Sequence, residues 1–261
     1  MAEISAKDVK ALRDATGAGM MDAKKALVEA DGDRERAARI LREKGLTKVA
    51  TLEDRENTQG AIAVAVDGST AALVELKAET DFSAKSPDFV DLVQRLASAV
   101  LAGGVDAVAS LSDDLDTLRI SKKENIELGR VECFEAADGN VLDTYLHEQD
   151  GRGTVGVLLE VAGVDQELAH EVALHIAFAK PSALRRDEVP ADLVAKATEG
   201  FEELTRKEGK PEQAIPKIVE GRVNSWFAER VLPEQGMFGD KETVQQRLGS
   251  GEIVRFALAV I

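Results

Sequence analysis

The chain has few of the residues that build disulfides and zinc sites. Cys133 is the only cysteine of the chain, which also contains 3 histidines. One cysteine excludes an intramolecular disulfide and any zinc site made of several cysteines. Because sparse cysteine is typical of reducing compartments, we expect a cytoplasmic protein.

Positive charge and long apolar runs are also scarce. The 48 acidic residues outnumber the 33 basic ones, which gives a net charge of −15. Basic residues form only isolated doublets, whereas a phosphate-binding surface needs a strongly basic face. No segment approaches the roughly 20 apolar residues of a membrane span, and the N-terminus has no apolar stretch of secretory length. We therefore expect a soluble protein that binds neither nucleic acid nor membranes directly.

The usual nucleotide, metal and catalytic patterns are missing too. Residues 151–156, GRGTVG, match a dinucleotide-loop spacing, but a strand follows them where such a loop needs a helix. His170 and His175 are five residues apart, and two imidazoles on one helix need a spacing of four to share a metal. His147 has no evident nucleophile or carboxylate set around it. The sequence therefore predicts no cofactor, no metal site and no catalytic residues.

The N-terminal residues predict three short helices. Ser5 is placed as an N-cap with Asp8 three residues on, and Ile4 and Val9 can form a hydrophobic staple. Later breaks at 31–33 and Gly45 predict the ends of the second and third helices, and the charged residues 48–56 predict a linker. A compact unit of this size resembles a ubiquitin-associated module, which commonly holds another protein. The alternative is an N-terminal unit that only packs against the rest of the chain.

The segment TGAGMMDAKKAL, residues 16–27, is the most distinctive in this region. Successive helical residues point about 100° apart, so Met20 and Met21 cannot both face one core. We expect one thioether to pack inside and the other to lie near the surface as an adaptable contact. The alternative, in which both fill gaps in the core, is favoured by burial statistics alone.

Two blocks predict antiparallel sheet with covering helices. In the first, residues 62–66 alternate before an Asp67-Gly68 turn, and the return strand carries apolar and charged residues on opposite faces, typical of a sheet covered on one side. Ser86-Pro87 then predicts the start of a covering helix. In the second, residues 130–162 predict three successive strands, and 165–180 a helix. This similarity predicts a weak internal repeat of fold.

The last third predicts a helical hairpin and a final strand. Residues 189–231 have a helical apolar pattern interrupted at 209–211, and the last nine residues alternate like a strand that rejoins an earlier sheet. The expected fold is α+β: a three-helix ubiquitin-associated-like module, two small antiparallel sheet-plus-helix subdomains, and an inserted antiparallel helical hairpin. The expected boundaries are 1–54 for the module and linker, 55–138 for the core N-subdomain, 139–186 with 231–261 for the core C-subdomain, and 187–230 for the hairpin.

Thr80-Asp81-Phe82 lies where the first hairpin should release the chain before the helix at Pro87. An exposed Phe82 beside the Asp81 carboxylate would insert into a partner, and burial of the ring would contribute roughly 1.5 to 3 kcal/mol. The alternative, with Phe82 anchoring the loop to the local core, has equal support from the pattern alone.

Several motifs in the same order resemble the bacterial elongation factor Ts family. They are TGAGMMDAKKAL, DGD at 31–33, ETDFSAK at 79–85, ENI at 124–126, GKP at 209–211 and KIVEGR at 217–222. The combination of TGAGMM with TDF and the following AK is highly specific, whereas GKP or DGD alone is weak. The resemblance covers nearly the whole chain.

The resemblance implies a guanine nucleotide exchange factor that binds elongation factor Tu and speeds GDP release without covalent chemistry. Asp81 and Phe82 match the pair that intrudes near the partner's magnesium site, with Thr80 beside them. Met20 and Met21 match residues of the module that contacts the same GTPase domain, and His147 matches a contact in the core. The hairpin resembles an element that mediates self-association in some members.

The chain also departs from the family pattern. The departures are Ser83 and Ser86 for Val and Asn, Lys122-Lys123 for Ile-Gly, Gly129-Arg130 for paired arginines, and LPEQGMF at 232–238 for LLEQPF. We expect them to concern affinity and partner choice rather than fold. Two alternatives therefore stay open: an exchange factor for a different GTPase, and a non-catalytic interaction adaptor in which Phe82 belongs to the core.

Overall fold

A computed structural model describes residues 4–52 and 54–261, and the described residues form an α+β fold, as expected. The helices are α1 Ala6–Thr16, α2 Met20–Glu29, α3 Arg34–Val49, α4 Asp81–Ala84, α5 Pro87–Gly103, α6 Ser112–Lys122, α7 Gln166–Ala179, α8 Ala191–Lys207, α9 Ile215–Ala228 and α10 Val244–Leu248. The strands are β1 Gln59–Asp67, β2 Thr70–Ala78, β3 Glu127–Glu135, β4 Asn140–Gln149, β5 Arg152–Ala162 and β6 Glu252–Val260.

Helices α1 to α3 pack around one small apolar cluster. The capping box at the start of α1 is confirmed: the Asp8 N–H donates to the Ser5 hydroxyl oxygen over 3.2 Å, and the Ser5 N–H donates to the Asp8 carboxylate over 3.3 Å. The cluster consists mainly of leucine and alanine. Its buried members are Val9, Leu12, Ala23, Ala26, Leu27, Ala30, Ala37 and Leu41.

Helix α3 does not end near Gly45, so that prediction is wrong. The helix continues to Val49 and a short 3-10 turn follows over Ala50–Leu52, so the start of the predicted linker at 48–56 is also wrong. Gly45 permits a close approach instead of a helix end. A Cβ there would lie 2.8 Å from Cγ1 of Ile120 on α6. The glycine therefore lets α3 pack directly against α6; residue 53 lies outside the described residues.

The strands form two antiparallel groups joined at one point. β1, β2 and β3 pair in sequence order, and β5 pairs with β4 on one side and β6 on the other. The Ile62–Gly153 pair connects the groups through β1 and β5. The last strand therefore rejoins an earlier sheet, as predicted. Grouping β3 with β4 and β5 is wrong, because β3 completes the first group.

Apolar residues cover both faces of the first group, so the one-sided sheet is a wrong prediction. Helix α5 covers one face through Phe89, Leu92 and Leu96. The opposite face packs against β5 and β6 around a second apolar cluster. Its buried members are Ile62, Ala71, Leu73, Phe134, Leu158, Ala257 and Ala259. Helix α7 covers the outer face of the second group. The described strands thus form one six-stranded sheet whose two groups pack against each other, with α5 and α7 on the outer sides.

Helices α8 and α9 form the predicted antiparallel hairpin. Near its tip, the Arg222 guanidinium donates to the Glu208 carboxylate over 2.8 Å and to the Thr205 hydroxyl over 3.2 Å. At its base, Val189, Phe227 and Val231 pack together with Ala183. The hairpin is thus fixed at both ends, and the numerical domain boundaries given above stay a prediction.

We expect Gly156→Ala to destabilise the fold by about 1 to 3 kcal/mol, the usual cost of an overpacked core. A Cβ at residue 156 would lie 2.6 Å from Cγ2 of Ile62 and 3.0 Å from Cδ1 of Leu73. Urea denaturation measures the free energy of unfolding. Gly200→Ala in α8 is the matched control, because nothing lies within 4 Å of its Cβ position. Equal stability of both variants would contradict the tight packing of the two strand groups.

Candidate functional site

The chain leaves β2 through a short turn before α5 begins, and we call residues 79–85 the Phe82 turn. Thr80 caps α4, because its side-chain oxygen accepts the N–H of Ser83 over 3.3 Å. Ser83 and Ala84 are buried, whereas the Phe82 side chain is 86% exposed. The structure therefore supports the exposed alternative for Phe82 and not the alternative in which it anchors the core.

The Glu124 carboxylate, in the loop between α6 and β3, holds the Phe82 turn. Its Oε1 accepts the Thr80 hydroxyl over 2.7 Å and the Ser83 hydroxyl over 2.6 Å. Its Oε2 accepts the Thr80 N–H over 3.2 Å. The neighbouring Asn125 N–H donates to Glu79 Oε1 over 2.6 Å. The turn is thus fixed from one side by two consecutive residues.

Asp81 lies beside a cation that bridges two parts of the molecule. Lys85 Nζ is 3.0 Å from Asp81 Oδ2 and 3.1 Å from Asp150 Oδ2, which belongs to the turn between β4 and β5. The hydrogen bond from Lys85 lowers the pKa of the Asp81 carboxyl, and the bond to Asp81 raises the pKa of the Lys85 ammonium. Asp81 is therefore a carboxylate with a local counter-charge.

An open cleft of about 490 Å³ lies alongside the turn. Its lining includes Asp81, Phe82, Lys85 and Arg152. The buried Arg152 guanidinium donates from Nη1 to the Gly60 carbonyl over 2.7 Å. Arg152 therefore fixes the start of β5 against β1 and places a positive charge near Asp81.

Met20 and Met21 are both exposed, by 47% and 64%. The prediction that one packs inside is wrong, and so is the alternative that both fill the core. Helix α2 begins at Met20, and its inward positions are taken by Ala23, Ala26 and Leu27. The first turn therefore presents two thioethers to solvent.

His147 lies exposed near the end of β4. Its Nδ1 is 3.3 Å from the Tyr145 hydroxyl, and the two rings stack with their centroids 6.5 Å apart. Asp150, three residues further on, reaches Lys85 of the Phe82 turn. The hairpin end that carries His147 is therefore linked to the turn through a salt bridge.

His170 and His175 have separate environments and do not share a site. His170 Nδ1 is 3.1 Å from Asp143 Oδ1. His175 is fully buried, with Nε2 3.1 Å from Gln235 Oε1, and the Phe238 N–H donates to its Nδ1 over 3.1 Å. Within residues 4–52 and 54–261, no group of three His, Cys, Asp or Glu side chains is arranged to hold a metal. No helix in that part of the chain is long and apolar enough to cross a bilayer.

Sequence reasoning missed the residues that support the turn. Glu124 belongs to the ENI motif, but the motif alone gave it no role. Lys85 and Asp150 are 65 positions apart, so only the fold brings them together. The spacing of Thr80 and Ser83 is that of an N-cap and its third helical residue, and it could have indicated the short helix α4.

Comparisons with known proteins identify the family of the chain. The model of the family described as elongation factor TS matches residues 79–259 and so begins at the Phe82 turn. The chain belongs to the elongation factor Ts family. It is similar to elongation factor Ts of Kineococcus radiotolerans, with 43% identity over 96% of this chain and 94% of the relative. For Renibacterium salmoninarum the identity is 42% over 98% of both chains, and for Deinococcus radiodurans it is 40% over 96% and 97%. Membership makes the chain a translation elongation factor, which acts in protein biosynthesis.

We expect Phe82→Ala to change the free energy of unfolding by no more than about 0.5 kcal/mol, since the ring is exposed. Phe89→Ala, seven residues later, should cost about 3 to 5 kcal/mol because that ring is fully buried under β1 and β2. Urea denaturation of both variants checks this contrast. A large loss for Phe82→Ala would show that its ring supports the fold.

The free energy of unfolding should decrease as the pH is lowered, because His175 is buried. Burial lowers its pKa below the usual value of 6.5, so the unfolded chain binds a proton first as pH falls. The stabilising contribution is present above about pH 6.5 and is lost progressively below it. Free energies of unfolding at several pH values should show this slope for the wild type and for His170→Asn, and a reduced slope for His175→Gln. An unchanged slope in His175→Gln would contradict the assignment.

Proposed function

We propose that this protein is a guanine nucleotide exchange factor that binds elongation factor Tu carrying GDP. In this proposal, Asp81 and Phe82 insert near the magnesium and phosphate site of the partner's GTPase domain and promote release of GDP. The observation that carries the proposal is a phenylalanine 86% exposed on a turn that is held by one backbone and two hydroxyl hydrogen bonds to the Glu124 carboxylate. The membership in the elongation factor Ts family supports the same function.

The energetics favour insertion of the ring. An exposed phenylalanine is unfavourable in water, and its burial between partner helices would contribute roughly 1.5 to 3 kcal/mol. An exchange factor needs to weaken GDP binding by only about 1.4 kcal/mol for each tenfold gain in release. One well-placed ring therefore supplies an effect of the required size.

The charge of Asp81 adds to this effect. Its pKa is lowered by Lys85, so the group is ionised at neutral pH. A carboxylate brought near a bound magnesium ion competes with the phosphate oxygens for that cation. The loss of charge compensation weakens the hold on GDP. The protein itself makes and breaks no covalent bond in this mechanism, so it is not an enzyme in that sense.

Met20, Met21 and His147 form the secondary contacts of the proposal. The two methionines are exposed thioethers that can adapt to an apolar surface of the partner. His147 lies on the hairpin end that Asp150 and Lys85 connect to the Phe82 turn. Contacts at these residues would contribute to affinity, with Thr80 and Asp81-Phe82 acting near the nucleotide.

The proposal also includes a role for the helical hairpin and an alternative function. The hairpin of α8 and α9 is the proposed element for self-association. An adaptor that binds a partner without exchange, or an exchange factor for a different GTPase, is the alternative function. The exposure of Phe82 favours insertion over an adaptor in which this ring belongs to the core.

The test is release of a fluorescent GDP analogue from elongation factor Tu. Catalytic amounts of the wild type should accelerate release, and Phe82→Ala should lower kcat/KM by at least tenfold, because a buried aromatic ring is worth more than 1.4 kcal/mol. Phe178→Ala is the matched control, since Phe178 is also exposed but lies on α7. No acceleration by the wild type would contradict the proposal, and acceleration by Phe82→Ala equal to the wild type would contradict the role of the ring.

A further inference from the structure

The function proposed above gives Glu124 no contact with the partner, although this residue accepts three of the hydrogen bonds that hold the Phe82 turn. The bonds come from Thr80 N–H, Thr80 Oγ1 and Ser83 Oγ, over 3.2, 2.7 and 2.6 Å. A carboxylate that accepts three hydrogen bonds is a strong and directional anchor. Glu124 itself does not lie in the cleft beside Asp81 and Phe82.

These bonds attach to both sides of Phe82. Thr80 is the N-cap of α4, and Ser83 is its third helical residue, so the anchored residues bracket Asp81 and Phe82. Helix α4 has only four residues, and an isolated helix of that length is not stable in water. The direction in which Phe82 points therefore depends on groups outside the turn.

Glu124 can act as an anchor because the helix before it is itself fixed. Lys122 Nζ, at the end of α6, is 2.7 Å from Asp88 Oδ1 at the start of α5. Arg42 of α3 pairs with Asp113 and Asp116 of α6. Helix α6 therefore contacts both the core and the N-terminal three-helix unit.

We propose that Glu124 is a positioning residue for Phe82. Its carboxylate holds the turn in the orientation in which the partner would contact the ring. This inference rests on the proposed function of Phe82. Loss of the carboxylate leaves the ring present but lets the turn sample other orientations, so that ordering of the turn opposes binding of the partner. The same helix α6 supports the unit that carries Met20 and Met21, so Glu124 also fixes the Phe82 turn relative to that support.

A double-mutant cycle separates positioning from general support of the fold. We expect Glu124→Ala to lower kcat/KM for GDP release about tenfold, equivalent to about 1.4 kcal/mol. In a Phe82→Ala background the same change should have little further effect, because Glu124 acts through the ring. An equal loss in both backgrounds, or no loss in the wild-type background, would overturn the proposal.

Conservative variants guard against a folding defect. Ser83→Ala removes one of the three hydrogen bonds and should lower kcat/KM about threefold. On a logarithmic scale this is half of the loss expected for Glu124→Ala. Glu127→Gln is the matched control, since Glu127 accepts one hydrogen bond from Asn57 over 2.8 Å and has no bond to the turn. An effect of Glu127→Gln as large as that of Glu124→Ala would overturn the proposal.

Amide hydrogen exchange tests Glu124 independently of GDP release. In Glu124→Ala, the backbone amides of Ala84 and Lys85, which close α4, should exchange about tenfold faster, whereas amides inside α5 should keep their protection. Unchanged exchange at Ala84 and Lys85, or equal acceleration throughout α5, would overturn positioning. If the wild type does not accelerate GDP release from elongation factor Tu, the proposed function of Phe82 is contradicted. The hydrogen-exchange measurement still decides whether Glu124 holds the turn.

Discussion

The packing of the β1–β2 face against β5 and β6 is the constraint on which the rest of the structure depends. Ile62 and Leu73 can approach β5 only because residue 156 has no side chain. The close approach aligns Ile62 with Gly153 and lets the Arg152 guanidinium reach the Gly60 carbonyl. As a result the β4–β5 turn lies next to α4, where Asp150 meets Lys85. The candidate site therefore exists only when both strand groups are assembled.

Charge at the site is arranged differently from charge in the whole chain. The net charge of −15 disfavours the approach of anions, such as nucleotide phosphates, to much of the surface. Among the residues that line the cleft, Lys85 and Arg152 offset Asp81 and Glu79. A locally balanced site lets a single carboxylate approach the partner with less general repulsion. Asp81 can then act on a cation at short range, which is the step that the proposed exchange requires.

The sequence predicted the elements well and their contacts poorly. The Ser5 capping box, the β1–β2 hairpin, the helical hairpin and the final strand could be predicted because each depends on neighbouring residues. Gly45 was misinterpreted because a glycine that ends a helix and one that admits Ile120 have the same sequence pattern. The pairing of β3 with β2 and the bridge from Lys85 to Asp150 depend on distant residues, so local patterns carried no information on them.

The exposure of Phe82 could not be decided from sequence, and in the proposed exchange an exposed ring alone would not be sufficient. Burial of the ring in a partner would contribute roughly 1.5 to 3 kcal/mol. Ordering of one flexible backbone residue costs about 1 to 2 kcal/mol, so ordering of a free four-residue turn would exceed that gain. In this chain Thr80 and Ser83 are already held by Glu124 before any partner binds. The free-energy cost of ordering the turn is therefore included in folding. The free energy gained when the Phe82 ring is buried then contributes fully to binding of the partner.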